Sequence, residues 1–182
     1  MSTEMRREVA KRVFAGEFRD ASHTFKESEE ERAPTYLLLP TGEKANRVFA
    51  VGTLTEKEDI GTDSEYWKAR VVDPTGTFLV YAGQYQPEAV DVIRDIEPPE
   101  YVAVVGKPST YEPDDGDGDV ITSVRPESMT VVDADTRDRW IAETAERTLE
   151  RIEDGEMSAE ADDVYGERDY RQIVTEALEN LE

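Results

Sequence analysis

Apolar residues alternate with polar ones through the middle of the chain and recur at three- and four-residue spacing towards both ends. Alternation marks a half-buried strand, and the longer spacing marks a helix. Met5, Val9, Val13 and Phe14 predict a helix over residues 3–20, with Gly16 a candidate interruption. Residues 27–35, ESEEERAPT, read as a solvated linker. After the turn signal Pro40-Thr41-Gly42, Arg47 to Thr55 alternates as a strand. Gly52 inside it points to a bulge or bend. Tyr66 to Val72 is a second strand, Asp73-Pro74-Thr75-Gly76 a tight turn, and Thr77 to Tyr85 a third strand. Pro87 opens a short helix carrying Val90, Ile93 and Ile96, which Pro98-Pro99 ends. Residues 101–111 form a fourth strand, and residues 120–133 a fifth, bent at Pro126. Trp140, Ile141, Ala145, Leu149 and Ile152 then make the apolar stripe of a long helix over residues 135–154. Asp135 or Thr136 caps it and Gly155 stops it. Residues 155–166 read as a mobile linker, and residues 167–181 as a last helix.

Five short strands with a helix between the third and fourth fit a small Greek-key barrel. The expected fold is mainly β with flanking helices: a five-stranded OB-type barrel, an N-terminal helix and two C-terminal helices. The expected divisions are residues 1–35 (helix and acidic linker), 36–135 (barrel) and 136–182 (helical region). A barrel this small is filled by its own side chains, so binding falls to an open strand face and the flanking loops.

Charge changes the picture. The 182 residues carry 43 acidic and 21 basic side chains, a formal charge of −22. Two readings fit: an acidic surface that mimics or repels nucleic acid, or adaptation to high internal salt. Spread acids, scarce Lys and absent Cys favour the second. At ~1 M salt the Debye length is only ~3 Å, so net charge no longer repels a phosphate backbone. A nucleic-acid binder there leans on stacking, which salt screens little. Residues 1–26 are the one sizeable segment with a positive balance, six Lys/Arg against four Asp/Glu. With no apolar run near ~20 residues and no signal core, a cytoplasmic protein that does not enter membranes is expected.

Four segments together resemble a known family: RVFAVGTLTE (47–56), WKARVVDPTGTFLVYAGQYQPEA (67–89), YVAVVGKPSTY (101–111) and SVRPESMTVVDADTRDRW (123–140). They are similar to the haloarchaeal replication protein A-associated proteins, the small-subunit-like group, and cover about half the chain. The resemblance implies a single-stranded DNA-binding OB domain that works with a larger replication protein A-type subunit in replication and repair. It implies that the helix of Arg137 to Asp154 joins the subunits, which nominates Trp140, Ile141, Leu149 and Ile152. It also implies base stacking on aromatics of the third strand (Tyr81 and Tyr85) and of the loop after the fourth (Tyr111).

Strand periodicity independently assigns faces. Trp67, Val71, Phe78 and Val80 make a natural core side. Tyr66, Lys68, Arg70 and Tyr81 then face outward together, and Lys107 and Arg125 extend the cationic track on adjoining strands. Flat rings beside cations suit a single strand, whose bases stack and whose backbone is tracked by charge. Each has an ordinary alternative: Tyr81 a half-buried packing ring, Tyr111 a loop anchor, Tyr85 a brace for the helix, Lys68 and Arg70 plain edge charges. The whole chain has two rival readings, an assembly subunit that leaves DNA to its partner, and an RNA-binding OB domain.

Catalytic and metal chemistry find little support. Asp115, Asp117 and Asp119 begin like a calcium loop, but Val120 stands where its Gly belongs and Pro126 where its Glu belongs. His23 is the single histidine, which removes His-based metal sites and Ser-His-Asp triads. Gly106-Lys107 lacks the rest of a phosphate loop. No enzyme activity, cofactor or metal is expected.

Overall fold

The computed structural model describes residues 9–112, 120–166 and 169–181. In chain order the elements are β1 (Lys11–Arg12), α1 (Ala15–Asp20), β2 (Thr24–Lys26), β3 (Thr35–Leu38), β4 (Lys44–Ala45), β5 (Val48–Asp59), β6 (Trp67–Asp73), β7 (Gly76–Ala82), α2 (Pro87–Asp95), β8 (Glu100–Tyr111), β9 (Ile121–Val131), α3 (Ala134–Glu153), α4 (Gly155–Tyr165) and α5 (Arg171–Glu179).

β5, β6, β7, β9 and β8 follow one another around a sheet that closes when β8 pairs back onto β5. The β7–β9 pair is parallel and the other barrel pairs are antiparallel. This is the five-stranded OB barrel. β5 serves two neighbours within the barrel, and Gly52 lets it: a Cβ there would stand 2.6 Å from the Val72 carbonyl oxygen. The bend continues in a bulge, where Thr55 is the extra residue between the Leu54–Val71 and Glu56–Arg70 pairs. A second bulge lies at Gly106 and Pro126, which accommodates a proline inside a strand.

Alternation sorts the barrel side chains. Ala50, Leu54, Ala69, Val71, Phe78, Val80, Val102, Val104 and Val124 point inward and are buried. On the outer side of β5 and β8, Phe49, Val51 and Ala103 form a second core with Trp140, Ile141 and Ala145 of α3 and Val174 and Ala177 of α5. The outer wall is thus covered at β5 and β8 by helices, and open across β6, β7 and the far ends of β8 and β9.

Several expectations change. The helix expected over residues 3–20 is six residues long; residues 1–8 lie outside the described residues. Lys11 and Arg12 instead run parallel to β5, because its long edge offers free backbone groups. Val13 and Phe14 then enter the two separate cores. Gly16 is no interruption but a close approach, its absent Cβ leaving room for Thr75 and Ile173. The expected linker joins β2 to β3 in a three-stranded sheet with β4 that the alternation did not reveal. Residues 155–165 are helical, so three helices follow the barrel rather than two. Asp133, not Asp135 or Thr136, caps α3, accepting from the Thr136 N–H at 2.8 Å. Among the described residues, no helix is long and apolar enough to cross a membrane.

The Asp73 turn fixes α1 to the barrel. Asp73 Oδ2 accepts from the Ala15 N–H at 2.7 Å, while Oδ1 accepts from Thr75 N, Thr75 Oγ1 and Gly76 N. Burial pushes its carboxyl above the ordinary value, so desolvation offsets part of what these donors contribute. Asp73→Ala is expected to destabilise the chain by ~2 kcal/mol, near the top of the range for a lost helix cap, measured by urea unfolding.

Candidate nucleic-acid interface

The open wall is built by register. On β6, Lys68 stands opposite Tyr81 and Arg70 opposite Leu79. Leu79 lies beside Ser123 in the parallel β7–β9 pair, so one step of two residues brings Tyr81 and Arg125 to the same side. Arg125 in turn faces Lys107, and Ile121 faces Tyr111, across the β8–β9 ladder. Tyr66, Lys68, Arg70, Tyr81, Arg125, Lys107 and Tyr111 therefore share one continuous outer strip.

Tyr66 is held by its loop. Asp59 Oδ1 accepts from Gly61 N and Tyr66 N at 3.0 and 3.1 Å, and the Tyr66 carbonyl accepts from Ile60 N at 2.8 Å. This closes the base of the β5–β6 loop and delivers the Tyr66 ring onto Tyr81, centroids 6.0 Å apart and planes 20° from parallel. Gly83 makes the contact possible, since a Cβ there would come within 2.8 Å of Tyr66 Cδ2. Tyr66 and Tyr111 are exposed and Tyr81 is half-buried.

The charges along the strip differ. Glu56 pairs with Arg70, Nε to Oε2 3.3 Å, and Glu58 stands opposite Lys68. These opposing acids were not legible in the sequence, because the Thr55 bulge sets their register. Nearby, Glu65 is held below its usual value by hydrogen bonds from Trp67 and then Arg94. Trp67 sits at the edge of the core with Lys57 over its ring at 5.5 Å.

Tyr85 departs from expectation. β7 ends at Ala82, so Tyr85 lies in the turn before α2 rather than on the third strand, and its ring is 84% exposed. It neither braces α2 nor joins Tyr81. It lines a cleft of about 730 Å³ with Lys107, Arg125, Pro108, Gln86 and residues of the β2–β3 sheet. The acidic loop residues Asp114, Asp115, Asp117 and Asp119 lie outside the described residues.

The four residues nominated for a subunit contact are placed differently from one another. Trp140 and Ile141 are buried inside the chain; the Trp140 Nε1–H donates to the Phe49 carbonyl at 3.1 Å, and its ring meets Phe14 edge-on. A partner cannot touch these two without displacing the barrel's own cover. Leu149 and Ile152 are half-buried and keep some surface.

No protein-family model matches the sequence, and no curated protein matches it either. Among solved structures, a chain of a replication protein A heterotrimer bound to ssDNA aligns with 79% of this chain and 98% of its own, at TM-score 0.55 and 16% identity. The second single-stranded DNA-binding protein from Mycobacterium smegmatis aligns with 47% of this chain and 84% of its own, at TM-score 0.39 and 19% identity. Asparaginyl-tRNA synthetase from Pyrococcus horikoshii, complexed with asparaginyl-adenylate, aligns with 47% of this chain and 19% of its own, at TM-score 0.39 and 18% identity. At 16% identity the first of the three shows a likeness of fold alone, over a share of the chain larger than the barrel itself.

Proposed function

We propose that this chain binds single-stranded DNA along the open strip of its barrel and acts as a subunit beside a larger replication protein A-type partner. The observation that carries the reading is the strip itself: aromatic rings at Tyr66, Tyr81 and Tyr111 on one wall with Lys107 and Arg125, exposed and directly opposite each other. Bases stack on such rings whatever their sequence, at ~1–3 kcal/mol per base. The likeness to a chain of a heterotrimer bound to ssDNA supports both the ligand and the assembly. The helical region 136–182 is the proposed subunit contact, its apolar surface made of half-buried Leu149 and Ile152 on α3 and exposed Leu178 and Leu181 towards the C-terminal end.

Tyr81→Ala and Tyr111→Ala test the stacking role. In a titration of fluorescent oligonucleotide at molar KCl, each replacement is expected to weaken binding about 5- to 150-fold, the equivalent of one platform. Unchanged binding in both variants sinks the stacking role. A parent that binds only when the larger subunit is added favours the assembly reading. RNA competing better than DNA favours an RNA-binding domain.

A further inference from the structure

We propose that Lys107 and Arg125, at the cleft beside Tyr85, hold the phosphate backbone of the bound strand, whereas Lys68 and Arg70 contribute little charge to it. This rests on the single-stranded DNA reading above and locates the charge contacts within it.

Lys107 and Arg125 are direct cross-strand partners, both exposed. Like charges directly opposite each other destabilise a sheet. Other arginines of this acidic chain are answered by a carboxylate, as Arg47 is by Glu127, Arg70 by Glu56 and Arg94 by Glu65. Among the described residues, neither Lys107 nor Arg125 holds one. Glu127 lines the same cleft, but Arg47 engages both of its oxygens. Glu88 is the other acid on the cleft wall, at the first turn of α2. An anion between the two cations would relieve their repulsion, and a phosphodiester strand brings one at every nucleotide.

The other cation pair is opposed by acids, and one member of it, Arg70, is ion-paired with Glu56. Register places Glu56 opposite Arg70 and Glu58 opposite Lys68, so a phosphate there meets two acids as well as two bases. Tyr85 completes the contrast, because it is 84% exposed and lines the same cleft, which offers an aromatic ring to a base beside the two cations.

The test is the salt dependence of binding. Each phosphate neutralised on a single strand steepens log K against log salt by ~0.7, so two contacts amount to about a tenfold loss between 0.2 and 1 M KCl. Lys107→Gln/Arg125→Gln is expected to abolish about that tenfold share of the salt dependence. Lys68→Gln/Arg70→Gln is expected to keep it. Tyr85→Ala is expected to weaken binding by one common factor at every salt concentration, leaving the slope unchanged. Circular dichroism in the same buffers checks that each variant is folded. An unaltered slope in the Lys107/Arg125 variant, or equal flattening in both double variants, overturns the inference while the DNA reading stands. A parent that binds no single strand at any salt overturns both.

Discussion

Replacing Trp140 by Ala is expected to destabilise the isolated chain by ~3–5 kcal/mol, the range for a large aromatic removed from a core. For a chain of this length that lowers the unfolding midpoint by about 6–20 °C. The ring is 1% exposed and sits edge-on to Phe14 at 5.5 Å, between the outer wall of the barrel and α5. Its loss leaves a cavity that rigid strands on one side cannot fill. It also leaves the Phe49 carbonyl without the indole donor. Trp140→Phe keeps much of the apolar contact and loses that hydrogen bond, so about 1–3 kcal/mol is expected. Urea unfolding of the chain without any partner is the measurement. A loss below ~1 kcal/mol in Trp140→Ala, ordinary for a surface position, would mean that α3 does not rest on the barrel in solution. That outcome would return the whole stripe to the subunit contact.

The barrel was legible because its strands obey a period of two and its turns carry Gly and Pro at the positions their geometry needs. Asp73-Pro74-Thr75-Gly76 and Pro87 are such positions, and the structure has a turn and a helix start there. What escaped depends on partners distant in sequence. Met5, Val9 and Val13 suit a helix locally, yet Lys11 and Arg12 join β5 because its edge is free, a fact of the tertiary structure. β2 and β4 are three and two residues long, too short to show a period. α4 opens on Gly155, which reads as a stop. At the site, alternation sorted faces correctly for Lys68, Arg70 and Tyr81, whose sides follow from parity alone, while Tyr66, one residue before β6, reaches Tyr81 through its loop. It failed at Tyr85, because the end of a strand is set by where pairing stops, and it gave no sign of Glu56 and Glu58, whose register depends on a bulge.

Glu43→Gln is the second large effect, and its pH dependence separates it from a simple packing defect. Glu43, almost fully buried, gathers three cations: Arg147 at 2.7 Å, Lys11 at 3.2 Å and Arg151 at 3.3 Å. Arg151 is itself 0% exposed, and its remaining contact is an Nη2–H donated to the Arg12 carbonyl at 2.6 Å. The network ties α3 to β1 and to the turn between β3 and β4. Burial pushes the Glu43 carboxyl upward, but the Arg147 hydrogen bond and the charges of Arg151 and Lys11 outweigh it and hold the carboxyl below its ordinary value of 4.5. Removing one partner of a buried ion pair strands the other, at a cost of ~3–5 kcal/mol. Gln cannot neutralise Arg151, so a loss in that range is expected at pH 7. Arg151→Met is expected to cost less, since Glu43 keeps Lys11 and Arg147. The sign with pH follows from the lowered value: the contribution is full above 4.5, where the unfolded chain is also ionised, and fades as pH falls through the folded value. Stability of the parent should therefore drop towards that of Glu43→Gln on acidification, and the two unfolding curves should converge. A gap that stays constant from pH 7 to pH 3 would show that shape, and not charge, is what Glu43 contributes beneath α3.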